Sequence, residues 1–315
     1  MKRIVIRLII FCLPIIILVY PLDLLISNGL RYSTYSDGEI ETWSDLYNGE
    51  LNSEHLFYGS SRAWVHFSPS IMEEETELPF YNMGVDAHNF YMQYLRHQEL
   101  LKYNLKPKMI VCGLDMASLE KRTDLYNKNM FLPFMLWNKS IEKTALTYEG
   151  FSKTDFIIPL YRYIGQFDAI KSGIKYYINP DDRFRYKGYK GRDETWNSDL
   201  SQVGSFKINL DSISVQLFQN FIKECKLDSI SLILVYTPEY VEGQNLVKNR
   251  SEIMDMYNKW AEKYNIPFLD YSNDSISYHK EYFYNAMHMN KTGSELFTRK
   301  LAKDLVKYGL IEGDK

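Results

Sequence analysis

The stretch His55-Leu56-Phe57-Tyr58-Gly59-Ser60-Ser61-Arg62 decides how the rest of the chain is read. The run His55 to Tyr58 predicts a short strand, Gly59 stops it, and the two serines open a helix at a sheet edge. Further along, Pro69 to Glu75 reads as a helix with proline in its first turn, and Pro79 to Val85 as a second strand. Asn89 to Tyr103 sets Phe90, Gln93, Tyr94, His97, Leu100 and Leu101 at helical spacing. Lys108 to Leu114 (KMIVCGL) is nearly continuous in apolar residues, as expected of a strand buried on both faces. The alternation returns with a helix over Ile213 to Cys225 and a buried strand over Ile230 to Tyr236. A long helix over Asn245 to Tyr264, a short strand over Pro267 to Asp270 and a last helix over Thr292 to Tyr308 complete it. Strands alternating with helices give an α/β fold, a three-layer parallel sheet whose functional groups gather at the C-terminal ends of the strands.

Composition sets the outer bounds. The 315 residues are 45% hydrophobic and 24% charged, which excludes disorder as the main state. Lys+Arg 37 against Asp+Glu 40 leaves a net charge of -3, so there is no global basic field for nucleic acid. Cys12, Cys112 and Cys225 are too few for a disulfide framework or a thiolate metal cluster. No histidine array of the H-x-x-x-H type and no GxGxxG or GxxxxGK occurs, so neither a metal nor a nucleotide cofactor is expected. The 26 tyrosines fit carbohydrate, interface or membrane-surface contact, and equally a tyrosine-rich proteome.

The N-terminus carries Lys2, Arg3 and Arg7, then Leu8 to Leu22 without a charge. No small-residue cleavage site follows, so an uncleaved transmembrane helix between Ile4 and Ile26 is expected. The basic residues place the N-terminus inside and the remaining chain outside the cytoplasmic or inner membrane. The expected organisation is a membrane anchor over 1–30, a juxtamembrane linker or short helix over 31–53 and one α/β domain over 54–315. That domain carries an insertion at about 116–210, rich in aromatic residues. Within the insertion Arg183 to Arg192 interleaves basic and aromatic side chains. Arg183, Arg185, Tyr186 and Tyr189 are candidates to grip a sugar or an anionic headgroup, against the plainer reading of a solvated loop.

Four strand-end or loop motifs converge on one sheet edge: Gly59-Ser60-Ser61-Arg62, Tyr81-Asn82-Met83-Gly84, Gly113-Leu114-Asp115, and Asn285-Ala286-Met287-His288 ahead of the last helix. Singly each is ordinary turn chemistry. As an ordered set they resemble the SGNH (GDSL-type) hydrolases, over about residues 54–115 and 229–308. The closest likeness is to the membrane-anchored branch that includes the lipoteichoic acid D-alanylation protein. The resemblance implies Ser61 as nucleophile, His288 as base, and the N–H groups of Ser61 and Gly84 as the oxyanion hole. It also implies work on a cell-envelope glycan or lipid-linked acceptor beside a multispanning membrane acyltransferase.

Two positions depart from the family. Asn285 stands where the family has an acid; it lacks the charge to stabilise an imidazolium, though its amide oxygen can hold the ring. Asp115 stands where an oxyanion amide is expected, and a carboxylate there would repel an oxyanion. Asp86 and Asp115 are candidate substitutes for the missing acid, and Arg62 is a candidate to line the entrance. The expected function is an O-acyl transferase or esterase acting on a cell-envelope or exopolysaccharide glycan through a Ser61–His288 dyad. The alternative is a catalytically degenerate glycan-binding or assembly subunit of an export system.

Overall fold

A computed structural model describes residues 2–311 apart from 87–89 and 181; of residues 2–12 and 14–16 it describes the backbone alone. In chain order the elements begin with α1 (Lys2–Arg31), α2 (Glu39–Asn48), β1 (His55–Tyr58), α3 (Ser61–His66), α4 (Pro69–Thr76), β2 (Phe80–Asn82) and α5 (Phe90–Tyr103). They continue with β3 (Met109–Leu114), α6 (Lys139–Ala145), α7 (Lys153–Ile157), α8 (Phe167–Lys175), α9 (Ser212–Leu227) and β4 (Ser231–Tyr236). The last are α10 (Val241–Gln244), α11 (Arg250–Tyr264), β5 (Phe268–Asp270), β6 (Phe283–Asn285), β7 (His288–Met289) and α12 (Lys291–Lys307). They divide into two compact units, Met1–Ser44 with Thr123–Phe184, and Asp45–Arg122 with Arg185–Lys315.

The second unit carries a five-stranded sheet in the order β2-β1-β3-β4-β5, with every neighbouring pair parallel. This is the doubly wound 2-1-3-4-5 order, whose switch point lies between β1 and β3. Strand alternation sorts the core into two faces. Phe57, Val111, Ile233 and Val235 join Phe67, Met72, Phe297, Leu301 and Leu305 on the side of α3, α4 and α12. Tyr58 turns the other way, against His97 of α5 and Phe221 of α9. At the β1–α3 turn Gly59 has φ +140°, and a Cβ there would come within 2.6 Å of both Ala63 Cβ and Gly113 O. Only glycine fits so strained and crowded a position.

The first unit is built on the C-terminal half of α1. Asp23, fully buried, accepts from both terminal guanidinium nitrogens of Arg162 at 2.7 Å and from the Leu160 N–H at 2.6 Å. Ile26, Leu30, Ile40, Trp43, Phe131, Ile141 and Phe156 are buried there. The C-terminal end of the expected membrane span is packed in protein, where Asp23, Ile26 and Ser27 are buried. The rest of that span falls largely on residues whose side chains lie outside the described set. Among the described residues no helix is long and apolar enough to cross a membrane.

The stretch 31–53, expected as a linker or short helix, contains the buried helix α2. Ile40, Trp43 and Leu46 recur at helical spacing and are fully covered, which explains why this polar-looking segment is ordered. The stretch 116–210 does not stay together as one insertion: 123–184 belongs to the first unit, and 185–210 to the second.

Candidate active site

The nucleophile turn is fixed before any partner arrives. Ser60 is the N-cap of α3, its hydroxyl accepting from Arg62 N–H at 3.2 Å and donating to Asp115 Oδ2 across the switch point. Ser61 thus becomes the first helical residue, half-buried at the C-terminal edge of the sheet. Its Oγ lies 2.8 Å from His288 Nε2.

His288 is delivered by a hairpin. β6 and β7 pair antiparallel with Asn285 opposite His288 across the Ala286-Met287 turn, so the two side chains are cross-strand neighbours. Asn285 Oδ1 accepts from the backbone N–H of Met287 and of His288, both at 2.9 Å, which fixes the amide with its oxygen toward the ring. That oxygen is 3.0 Å from His288 Nδ1. Nδ1 therefore carries the proton, and Nε2 presents its lone pair to the Ser61 hydroxyl. Tyr284 stacks on the imidazole at 5.4 Å and 15°.

Three expected roles change. Gly84 N–H is directed at Asn82 Oδ1 at 2.9 Å, so it does not point into an oxyanion hole. The glycine is needed for another reason, since a Cβ there would come within 2.5 Å of Trp64 N. Asp115 neither faces an oxyanion nor reaches the imidazole: its carboxylate takes the Ser60 hydroxyl and the Ala117 N–H. Arg62 does not line an entrance. It is buried, donates to the carbonyls of Thr237 and Pro238 and to Thr237 Oγ1, and pairs with Glu239 at 2.9 Å. Burial works against its charge, and Glu239 and Tyr236 more than offset that, holding the guanidinium pKa above its ordinary value. Asp86 is half-buried just past the β2 edge, and His88 lies outside the described residues.

The basic stretch is largely built into the protein. Arg183 pairs with Glu41 at 3.8 Å in the first unit. In the second, Arg185 is buried and stacks over Trp64 at 4.0 Å, and Arg192 lies over the same ring at 5.1 Å. Tyr186 reaches Glu73 at 3.1 Å, and the buried Tyr189 meets Ser294 Oγ at 2.8 Å. Sequence reading passed over Asn82, whose amide nitrogen caps the carbonyls of Ala63, Trp64 and Phe67 and so bolts the end of α3 to β2. It also passed over Thr237 and Glu239. Their only sequence signal was their place at the end of β4, where functional groups collect. Among the described residues no cluster of His, Cys, Asp and Glu is arranged to hold a metal.

No family model matches the chain, and no curated protein matches it. Solved structures similar to it include the following two. One, from Desulfitobacterium hafniense DCB-2, is assigned as a lipolytic protein of the G-D-S-L family; it is 12% identical with a TM-score of 0.41, over 79% of this chain and 98% of that one. The other, from Bacteroides fragilis NCTC 9343, is assigned as an acylhydrolase; it is 11% identical with a TM-score of 0.40, over 87% of this chain and 98% of that one.

Proposed function

We propose that the second unit is an SGNH-like serine esterase or O-acyl transferase working through Ser61 and His288. The observation that carries this is the 2.8 Å contact between Ser61 Oγ and His288 Nε2, with Nδ1 held by Asn285. Ser61 Oγ attacks an acyl carbonyl while His288 Nε2 takes the hydroxyl proton. That proton passes to the departing oxygen, leaving an acyl-serine. Water or an acceptor hydroxyl then attacks the acyl-serine, giving its proton to His288, and Ser61 recovers it as the acyl group leaves. With Gly84 N–H engaged elsewhere, the Ser61 N–H at the start of α3 is the oxyanion donor retained from the expected pair. That single retained donor, and an amide where a triad would place its acid, favour slow, substrate-restricted chemistry.

The same two features favour the second reading, a non-enzymatic glycan-binding or assembly subunit. A fluorophosphonate probe separates them. Covalent labelling that disappears in Ser61→Ala supports the enzyme; a folded protein that never labels supports the binding subunit. The acceptor, a cell-envelope glycan or lipid-linked sugar, and a multispanning acyltransferase partner belong to the proposal on the strength of the sequence resemblance.

Membrane attachment through the N-terminal run belongs to it as well. Leu13, Ile17, Leu18, Tyr20 and Leu22 are exposed over a wide arc of α1, broader than the single stripe a protein groove would cover. In the same unit Ile164, Phe167 and Ile178 are 71%, 78% and 82% exposed, and Trp137 packs on Tyr20 at 5.1 Å, as aromatic rings do at a bilayer interface. Flotation of the full chain with phospholipid vesicles tests this, and a chain that stays at the bottom of the gradient rules it out.

A further inference from the structure

The Ser61–His288 pair closes a circuit whose other members are not part of the expected motifs. Arg62 follows Ser61, and His66 lies one turn later on α3, so both face the end of β4. Arg62 Nε and a terminal nitrogen donate to Thr237 Oγ1 at 3.1 and 2.8 Å. His66 Nδ1 meets the same Oγ1 at 2.8 Å. On its far side His66 Nε2 accepts the backbone N–H of Met289 at 2.9 Å, and Met289 follows His288. From Ser61 the path runs through Arg62, Thr237, His66 and Met289 to His288 and back to Ser61 Oγ. The two reacting side chains are thus tied to one hub through the residues next to them in sequence.

We infer that His66 is the positioning residue of the dyad: its ring, fully buried between Thr237 and Met289, sets where β7 holds the His288 imidazole against Ser61. The inference rests on the dyad reading above. Because Nε2 accepts from Met289 N–H, the single proton of the neutral ring sits on Nδ1 and is donated to Thr237. A second proton would set two N–H groups against each other in a buried site. Burial, then the Arg62 guanidinium and His288, hold the His66 pKa well below the ordinary histidine value. The latch therefore stays neutral while His288, 6.1 Å away between ring centroids, cycles its proton. This supplies by placement part of what a third carboxylate supplies by charge.

The test is a pair of variants with the same amide on stems of different length. In His66→Gln the amide oxygen reaches the position of Nε2 and accepts from Met289; in His66→Asn it reaches only that of Nδ1. The rate of Ser61 labelling by a fluorophosphonate is measured for both across pH, with the ¹⁵N shifts of the His288 ring. Expected is labelling within a fewfold of wild type for His66→Gln and a loss of about 10- to 100-fold for His66→Asn. In His66→Asn the His288 shifts should move from one tautomer toward a mixture of both. Equal rates and pH profiles in the two variants, or His288 shifts unchanged in His66→Asn, overturn the positioning role. A wild type that never labels sinks the nucleophile reading instead, and the ring shifts still decide the role of His66.

Discussion

Replacing Asn285 with Asp restores a charge behind His288 while keeping the shape of the hairpin. The two N–H groups that hold Oδ1, from Met287 and His288, accept a carboxylate oxygen as readily as an amide oxygen. The new charge would lie about 3.0 Å from Nδ1, where Oδ1 now sits. An opposite charge at such range raises a histidine pKa by about one to three units, and the half-exposed site argues for the lower end. One unit is about 1.4 kcal/mol, or tenfold in rate, if all of it appears in the transition state. The loss of about 10⁴ seen when a triad acid becomes an amide is much larger because the wrong tautomer is favoured; here Asn285 already selects the right one. Only the charge contribution is regained. Fluorophosphonate labelling of Asn285→Asp, followed from about pH 5 to 9, should show its inflection shifted upward by about one unit and its plateau raised about tenfold. The two profiles should converge at low pH, where the larger fraction of protonated base cancels the faster chemistry. Identical plateaus and inflections would refute the coupling between Asn285 and His288. A slower plateau would mean that the amide nitrogen, not its oxygen, serves the ring.

Arg62→Met leaves Glu239 buried with Arg250 as its remaining cation, at a cost of about 3 kcal/mol read from the urea midpoint; an unchanged midpoint would show that the network does not stabilise the fold. Gly84→Ala drives a methyl into the Trp64 backbone and should cost about 1–3 kcal/mol, detectable in thermal unfolding, and no loss would contradict the packing at the start of α3. Burial, partly opposed by Asp228, lowers His97 to about 4. The unfolded chain then binds more protons than the folded one below about pH 6.5, so stability falls as pH drops from about 6.5 to 4, by up to about 3 kcal/mol from this group. His97→Phe should flatten that part of the acid limb, and a limb of unchanged slope would assign it to other groups.

The order of strands and helices in the second unit was legible in the chain because its signals are local. Apolar runs such as Met109 to Leu114 can only be buried strands at that length, and glycine or proline marks their ends. The contact of Ser61 with His288 was anticipated from the ordered set of motifs, although His288 comes from the β6–β7 hairpin and not from a strand of the parallel sheet. Helix α2 was legible only as one of two readings, linker or short helix, because the polar residues around Ile40, Trp43 and Leu46 mask its buried face. The site beyond the dyad needed the tertiary structure, because a hydrogen bond depends on which of several near atoms a donor faces. Gly84 N–H turns to Asn82 two residues away, Asp115 is taken by Ser60, and Arg62 folds inward to Thr237 and Glu239. The sequence by itself determined which residue types meet at the sheet edge, through patterns of period two and 3.6 that repeat along the chain. Only the tertiary structure decided what each does there, because Thr237, His66 and Met289 are joined by contacts across more than 170 residues, and such separations leave no periodic trace.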